Sequence, residues 1–201
     1  MLNIISSFHC MNVDFGTYHH STPEKSEKLR TTIYEKFHQA FNYISIAKDS
    51  KINILDVGSG LGFTIKIAAD FYTNASITGI DNFSGSLVDS SLSKSLENIL
   101  TLGLADRCTI IESDIFDYTG KFELVISNLV MHNMGSMRFE AYTKIYNYMP
   151  EYFITGDLFF HNNGNAVQYE LSRMAHLFKP VCIINVPEIS SNYKILVLKR
   201  L

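Results

Sequence analysis

The apolar positions Leu29, Ile33, Phe37, Ala40 and Ile44 recur at intervals of four, four, three and four, a spacing that stacks side chains along one helical face. Lys25, Glu27, Lys28 and Arg30 open the same stretch with charge. Just before it, Ser21, Thr22, Pro23 and Glu24 supply a hydroxyl cap, a proline where the first turn lacks a partner anyway, and a carboxylate three residues after Ser21. The pattern predicts an amphipathic helix from about Glu24 to Ala47.

From Lys51 the period changes. Ile52 to Val57 is a continuous apolar run fit for a buried strand, Leu61 to Phe71 reads as a helix, and Ser76 to Ile80 as a second strand. Val88, Leu92, Leu96 and Ile99 then keep helical spacing, with Ser84 as the cap and Gly103 where a left-handed residue is wanted. Cys108 to Glu112 and Glu123 to Ser127 are the next strands. Ser136 to Met149 reads as a helix stopped by Pro150, and Tyr152 to Phe160 as a fifth strand. Val167, Leu171, Met174 and Phe178 mark another helix, ended by Pro180. Val181 to Val186 and Tyr193 to Leu198 follow as a strand pair, and Pro187 to Asn192 suits a hairpin connection.

Strands alternating with helices and closing in a strand pair imply an α/β fold. It is doubly wound, with a mainly parallel seven-stranded sheet, an antiparallel last strand, helices on both faces and an additional N-terminal helix. Ligands of such sheets bind beyond the carboxyl ends of the strands, where the strand order reverses.

Composition narrows the function classes. The 201 residues, 46% apolar and 18% charged, suffice for one folded domain of ordinary size. Seventeen basic against twenty acidic side chains give a net charge of −3, so nothing draws the whole molecule to phosphate backbones or anionic lipid. No positive residue precedes Lys25, and no apolar run could span a bilayer. The chain reads as cytoplasmic. Cys10, Cys108 and Cys182 are odd in number and far apart, which speaks against a disulfide framework or a zinc site. No metal site is expected, and the oligomeric state is not legible.

After the first strand come Asp56, Val57, Gly58, Ser59, Gly60, Leu61 and Gly62. Glycines there allow a tight turn and close approach of a ligand to the backbone. The spacing is GxGxG rather than the dinucleotide fingerprint GxGxxG, and no GK[ST] follows to make a P-loop. Asp56 to Gly62 resembles the acidic residue and glycine loop of class I S-adenosylmethionine-dependent methyltransferases, and the order of elements over residues 50–200 resembles that family too. The resemblance divides the chain into an N-terminal lid segment and helix, 1–50, and an S-adenosylmethionine-binding methyltransferase domain, 51–201, within one compact unit. It implies that Asp56, Gly58, Ser59, Gly60 and Gly62 surround the cofactor. Asp81, 25 residues after Asp56, would take the ribose hydroxyls with Asn82 beside it. Asp114 and Ile115 would meet the adenine, and Asn128 would line the space toward the methyl acceptor. Asp56 reads equally well as a buried structural acid, and Asp81 and Asp114 as turn residues or helix caps.

On the acceptor side His132 lies in the segment after the fourth strand, where an imidazole could take a proton near neutral pH; it reads also as a packed, hydrogen-bonded histidine. Asp157 and His161 lie at the end of the fifth strand, across the same cleft. Tyr18 precedes the first helix, where related enzymes carry a lid. Asn128 is followed by Leu129 and Val130 rather than Pro-Pro and an aromatic, a departure from amino-group methylases of the family. These features favour a methyl transferase acting on a small molecule. An RNA or protein methyltransferase, or a non-catalytic cofactor-binding domain, are the other readings.

Overall fold

The computed structural model describes residues 13–18, 21–84, 90–160 and 166–201. Seven strands, β1 (Asn53–Val57), β2 (Ser76–Asp81), β3 (Cys108–Glu112), β4 (Leu124–Asn128), β5 (Tyr152–Leu158), β6 (Phe178–Asn185) and β7 (Tyr193–Arg200), form one sheet in the order β3-β2-β1-β4-β5-β7-β6. The pairs from β3 through to β5 are parallel. β7 runs antiparallel to both β5 and β6, so the antiparallel last strand is inserted inside the sheet, and β6 is its edge.

The helices are α1 (Pro23–Phe41), α2 (Phe63–Phe71), α3 (Leu92–Thr101), α4 (Arg138–Asn147) and α5 (Ala166–Met174). Strand side chains alternate between the two faces. Ile54, Ile126 and Ile154 pack with Ile33 and Phe37 of α1, Ile65 of α2 and Ile99 of α3. Their neighbours Leu55, Val125 and Phe153 pack on the other face with Ala141 and Ile145 of α4 and Met174 of α5. The chain leaves β1 toward β2 and β3 and returns to β4 on β1's other side, which puts the reversal of strand order at the β1–β4 boundary. Among the described residues no helix is long and apolar enough to cross a membrane.

The differences from the sequence pattern have local causes. α1 stops at Phe41 rather than Ala47, because the chain tightens into turns in which Tyr43 N bonds Ala40 O and Ile44 N bonds Phe41 O. Ile44 stays buried through those turns. Its cap is Thr22, not Ser21: the Thr22 hydroxyl accepts from Lys25 N. The helix expected from Ser136 is α4 from Arg138, preceded by 3₁₀ turns over Met131–Met137 that kink at Gly135. α5 ends at Met174, and Phe178 and Pro180, expected in or after that helix, lie in β6. A proline without an N–H is tolerated there because β6 is an edge strand, and its pairing shifts register between Pro180 and Cys182.

The largest misreading concerns α3. Ser91, not Ser84, caps it, and Val88 lies outside the described residues. Its buried face is Ser95, Asn98 and Ile99, while Leu96 is 40% exposed. The polar residues are buried because they serve the glycine loop. Ser95 Oγ donates to Gly60 O at 2.8 Å, and Asn98 Nδ2 donates to Leu61 O at 3.0 Å and to Asp14 O at 3.0 Å.

Candidate functional site

A cavity of about 350 Å³ opens at the carboxyl ends of β1 to β4, where the strand order reverses. The loop after β1 is held from three sides. Gly58 N and Ser59 N donate to Ile80 O, Gly60 N donates to Asp81 Oδ2 at 2.8 Å, and α3 takes the carbonyls as described. Gly58 has φ +72°, and a Cβ there would stand 2.2 Å from Val130 Cγ2; a β-branched neighbour on the opposite wall cannot swing aside, so glycine is required sterically as well as conformationally.

Asp81 closes β2 and sends its second oxygen, Oδ1, to accept from Phe83 N at 2.7 Å, holding Phe83 at φ +50°. An ionised carboxylate offers about four acceptor positions. Two are used here, and Asp81 lines the cavity. Asp114 Oδ1 accepts from Phe116 N at 3.0 Å, and Oδ2 accepts from Asn82 Nδ2 at 3.1 Å. Asn82 Oδ1 takes the N–H and the hydroxyl of Ser84, which is the role Ser84 has instead of capping a helix. Ile115 is buried, its carbonyl accepts from Tyr148 OH at 2.7 Å, and its side of the loop lines the cavity.

Of the residues singled out from sequence, Gly58, Gly60, Asp81, Asn82, Asp114, Ile115, Asn128 and Tyr18 line this cavity. Ser59 and Gly62 are in the loop but turned from the lining. Asp56 is fully buried and its two oxygens have no partner among the described residues. Burial, and secondly the nearby Asp81, raise its carboxyl well above the usual carboxylate range. The folded chain therefore keeps a proton that the unfolded chain releases above about pH 4, and stability declines as pH rises from there toward the folded-state value. Asp56→Asn, always uncharged, is expected to lack that decline. In urea unfolding over roughly pH 4 to 8 the variant should gain on the native protein as pH rises; a constant difference would show that Asp56 is ionised in the fold.

His132 and Asp157 lie beside the cavity rather than in its lining, and they form a pair. His132 Nδ1 is 2.5 Å from Asp157 Oδ1, with the His132 side chain 22% exposed and Asp157 buried. Asp157 also accepts from Leu158 N at 2.7 Å, Met131 N at 2.7 Å and His132 N at 3.3 Å. All its acceptor positions are taken. His161 lies outside the described residues.

Leu129, Val130 and Asn133, in the stretch after the fourth strand that the family resemblance places between methyl donor and acceptor, form the wall after β4 together with Met134 and Met137, which were not singled out from sequence as lining residues. Leu129 has φ +58° and is held by its N–H on Gly156 O at 2.8 Å. The two methionines in a row of polar and small residues were the available signal, since a flexible thioether suits an adaptable binding wall. Tyr18 brings the segment 13–18 to the cavity. Phe15 packs edge-on to Phe63 at 5.3 Å, Asp14 pairs with Lys94 at 2.7 Å, Arg30 Nη1 donates to Gly16 O at 2.8 Å, and Tyr18 N donates to Ser26 Oγ at 3.1 Å. Burial pushes the Tyr18 hydroxyl up to about 12. The lining contains the carboxylates Asp81 and Asp114 and, among the described residues, no lysine, arginine or histidine.

A family model described as a methyltransferase domain matches residues 48–189. No curated protein sequence matches the chain. A SAM-dependent methyltransferase structure from Aquifex aeolicus is 13% identical over 89% of this chain and 97% of that one, with a TM-score of 0.65. The ribosomal protein L11 methylase from Lactobacillus delbrueckii subsp. bulgaricus is 17% identical over 80% of this chain and 76% of that one, with a TM-score of 0.60. An O-methyltransferase family 2 protein from Planctomyces limnophilus, in complex with apigenin, is 14% identical over 91% and 63%, with a TM-score of 0.64. At these identities the likeness is one of fold.

Proposed function

The chain belongs to the methyltransferase-domain family, and on that premise we propose that it binds S-adenosylmethionine in the cavity and transfers the methyl group to a small-molecule acceptor. The observation that carries this reading is Asp81 beside the glycine loop: two acceptor positions are in use and two are open, the number that a pair of ribose hydroxyls needs. Two carboxylates with no opposing cation among the described residues suit a ligand bearing a sulfonium and an ammonium, and disfavour one bearing phosphates. Gly58, Gly60, Asp81, Asn82, Asp114, Ile115 and Asn128 are the residues that would hold it, with Asp56, Ser59 and Gly62 shaping the loop. When bound, the cofactor supplies a methyl group already activated on sulfur. The chain's part is then to orient an acceptor and, where the acceptor carries a proton, to take it.

For the proton we assign His132. Asp157, held by three backbone amides, accepts from His132 Nδ1, so that in the neutral ring Nε2 is the nitrogen able to act as base. The strap 13–18, with Tyr18, acts as the lid over the site, its attachment to α3 through Asp14 tying it to the helix that also grips the loop. On addition of S-adenosylhomocysteine and acceptor the amides of Gly16 and Tyr18 should exchange more slowly with solvent; unchanged exchange would remove the lid from the proposal.

The deciding experiment is calorimetry with S-adenosylmethionine, followed by a screen of metabolites, bulk RNA and protein for transfer of a labelled methyl group. Binding together with transfer to a small molecule supports the reading. Preference for a nicotinamide dinucleotide overturns the cofactor, and transfer found only on RNA or protein overturns the acceptor class.

A further inference from the structure

Gly156 lies in the interior of β5, opposite Asn128 of β4 and Ile195 of β7, in a strand otherwise made of residues with side chains. Glycine inside a strand commonly marks a place where another group approaches closely. Here that group is a side chain from the next strand: a Cβ at position 156 would come within 2.3 Å of the Tyr193 hydroxyl oxygen and 3.0 Å of Asn128 Oδ1. The space that the glycine leaves is where Tyr193 OH, on a fully buried ring, meets Asn128 Oδ1 at 2.6 Å.

That contact fixes which way Asn128 faces. A tyrosine hydroxyl has one proton, and an amide oxygen can only accept, so Tyr193 donates and Asn128 Oδ1 is turned toward it. Burial holds the Tyr193 hydroxyl well above its ordinary titration range, so the donor keeps its proton. The Asn128 amide nitrogen lies on the other side of the planar group, has no partner among the described residues, and belongs to a residue that lines the cavity. The same wall continues through Leu129, Val130, Met134 and Met137, which are apolar, and among the described residues no cation lines it.

We infer that Tyr193 is a positioning residue that presents Asn128 as a hydrogen-bond donor, and that the site thereby selects an uncharged, largely apolar acceptor carrying a hydrogen-bond-accepting oxygen. The inference rests on the methyltransferase reading of the cavity. It narrows the acceptor: an anionic molecule finds no partner charge among the described residues, and a molecule offering only an N–H to Asn128 meets a donor facing a donor. One such hydrogen bond changes affinity by up to about tenfold.

The test uses the protein loaded with S-adenosylhomocysteine and two matched probes, 4-hydroxyacetophenone and 4-ethylphenol, which differ in the carbonyl oxygen. The native protein is expected to bind the ketone up to about tenfold more tightly. Tyr193→Phe, which keeps the ring and lets the amide turn over, should lose the preference, and Asn128→Asp, which exchanges the donor for an oxygen, should invert it. The Asn128→Asp arm and the native ratio stand even if Tyr193→Phe does not fold. Equal affinities for the two probes, failure of both to bind the loaded protein, or an unchanged ratio in a folded Tyr193→Phe protein would overturn the inference. Failure of S-adenosylhomocysteine itself to bind the native protein would instead overturn the reading on which it rests.

Discussion

His132→Asn is expected to lower turnover by about 10² to 10⁴, the usual worth of a positioned base, while S-adenosylmethionine affinity stays at the native value. The reasoning starts at Asp157. Its carboxylate receives Met131 N and His132 N on one oxygen and Leu158 N and the His132 ring on the other. Three of these four donors are backbone amides, so the carboxylate is aimed by the main chain, and the ring must present N–H to it. In the neutral ring that assigns the proton to Nδ1 and the lone pair to Nε2. Asparagine at 132 keeps the backbone amide and a donor toward Asp157 but lacks the second nitrogen. The measurement is kcat on the acceptor found by the labelled-methyl screen, alongside calorimetry for the cofactor. Native turnover in the variant would leave the pair as a brace between β4 and β5. Asp157→Asn provides the complementary result: an amide facing Nδ1 favours the other tautomer, so turnover should fall with His132 still present.

The second large effect belongs to Asp81. Asp81→Ala should raise the dissociation constant for S-adenosylmethionine at least tenfold. Hydrogen bonds to a charged acceptor contribute roughly 1.5 to 3 kcal/mol each, with solvent offsetting part of it, and 1.4 kcal/mol corresponds to a factor of ten. The substitution also releases Gly60 N and Phe83 N, and Phe83 then has no reason to stay at positive φ. The loop itself should persist, because Ser95 and Asn98 still hold the carbonyls of Gly60 and Leu61. Circular dichroism should therefore show a folded variant with weakened binding in calorimetry. Native affinity would mean that the cofactor does not meet this carboxylate.

The strands other than β6 were legible to within a residue or two because buried strands are continuous apolar runs, whereas β6 begins three residues before the expected Val181. The glycine loop and the carboxylates after β2 and β3 were legible because strand ends are where such residues gather. α3 was misread because a hydrophobic pattern assumes that the buried face is apolar. Here Ser95 and Asn98 are buried against backbone carbonyls of a loop some 35 residues earlier, and no local spacing records a partner at that distance. The pairing of His132 with Asp157 bridges two strand ends, and that of Tyr193 with Asn128 spans 65 residues. The component residues could be noted in the sequence, but their distances could not. Asp157 was read as a cleft residue from its place at the end of β5, whereas its backbone donors draw it under the surface. Pro180 looked like a helix stop because its role depends on β6 having a single neighbour, which is a property of the sheet and not of the segment.

The placement of β7 between β5 and β6 has a kinetic corollary. β6 touches the rest of the sheet only through a strand made after it. β6 and β7 are joined by a short connection, so they can pair as a hairpin at small entropic cost before either meets β5. The sheet then grows by docking a preformed two-stranded unit onto the β5 edge, and Tyr193 reaches Asn128 only at that docking step. In pulse-labelled refolding, amides of Ile184 and Ile195, which face each other across the β6–β7 pair, should become protected together, with the donor geometry at Asn128 appearing no earlier than the β5–β7 ladder.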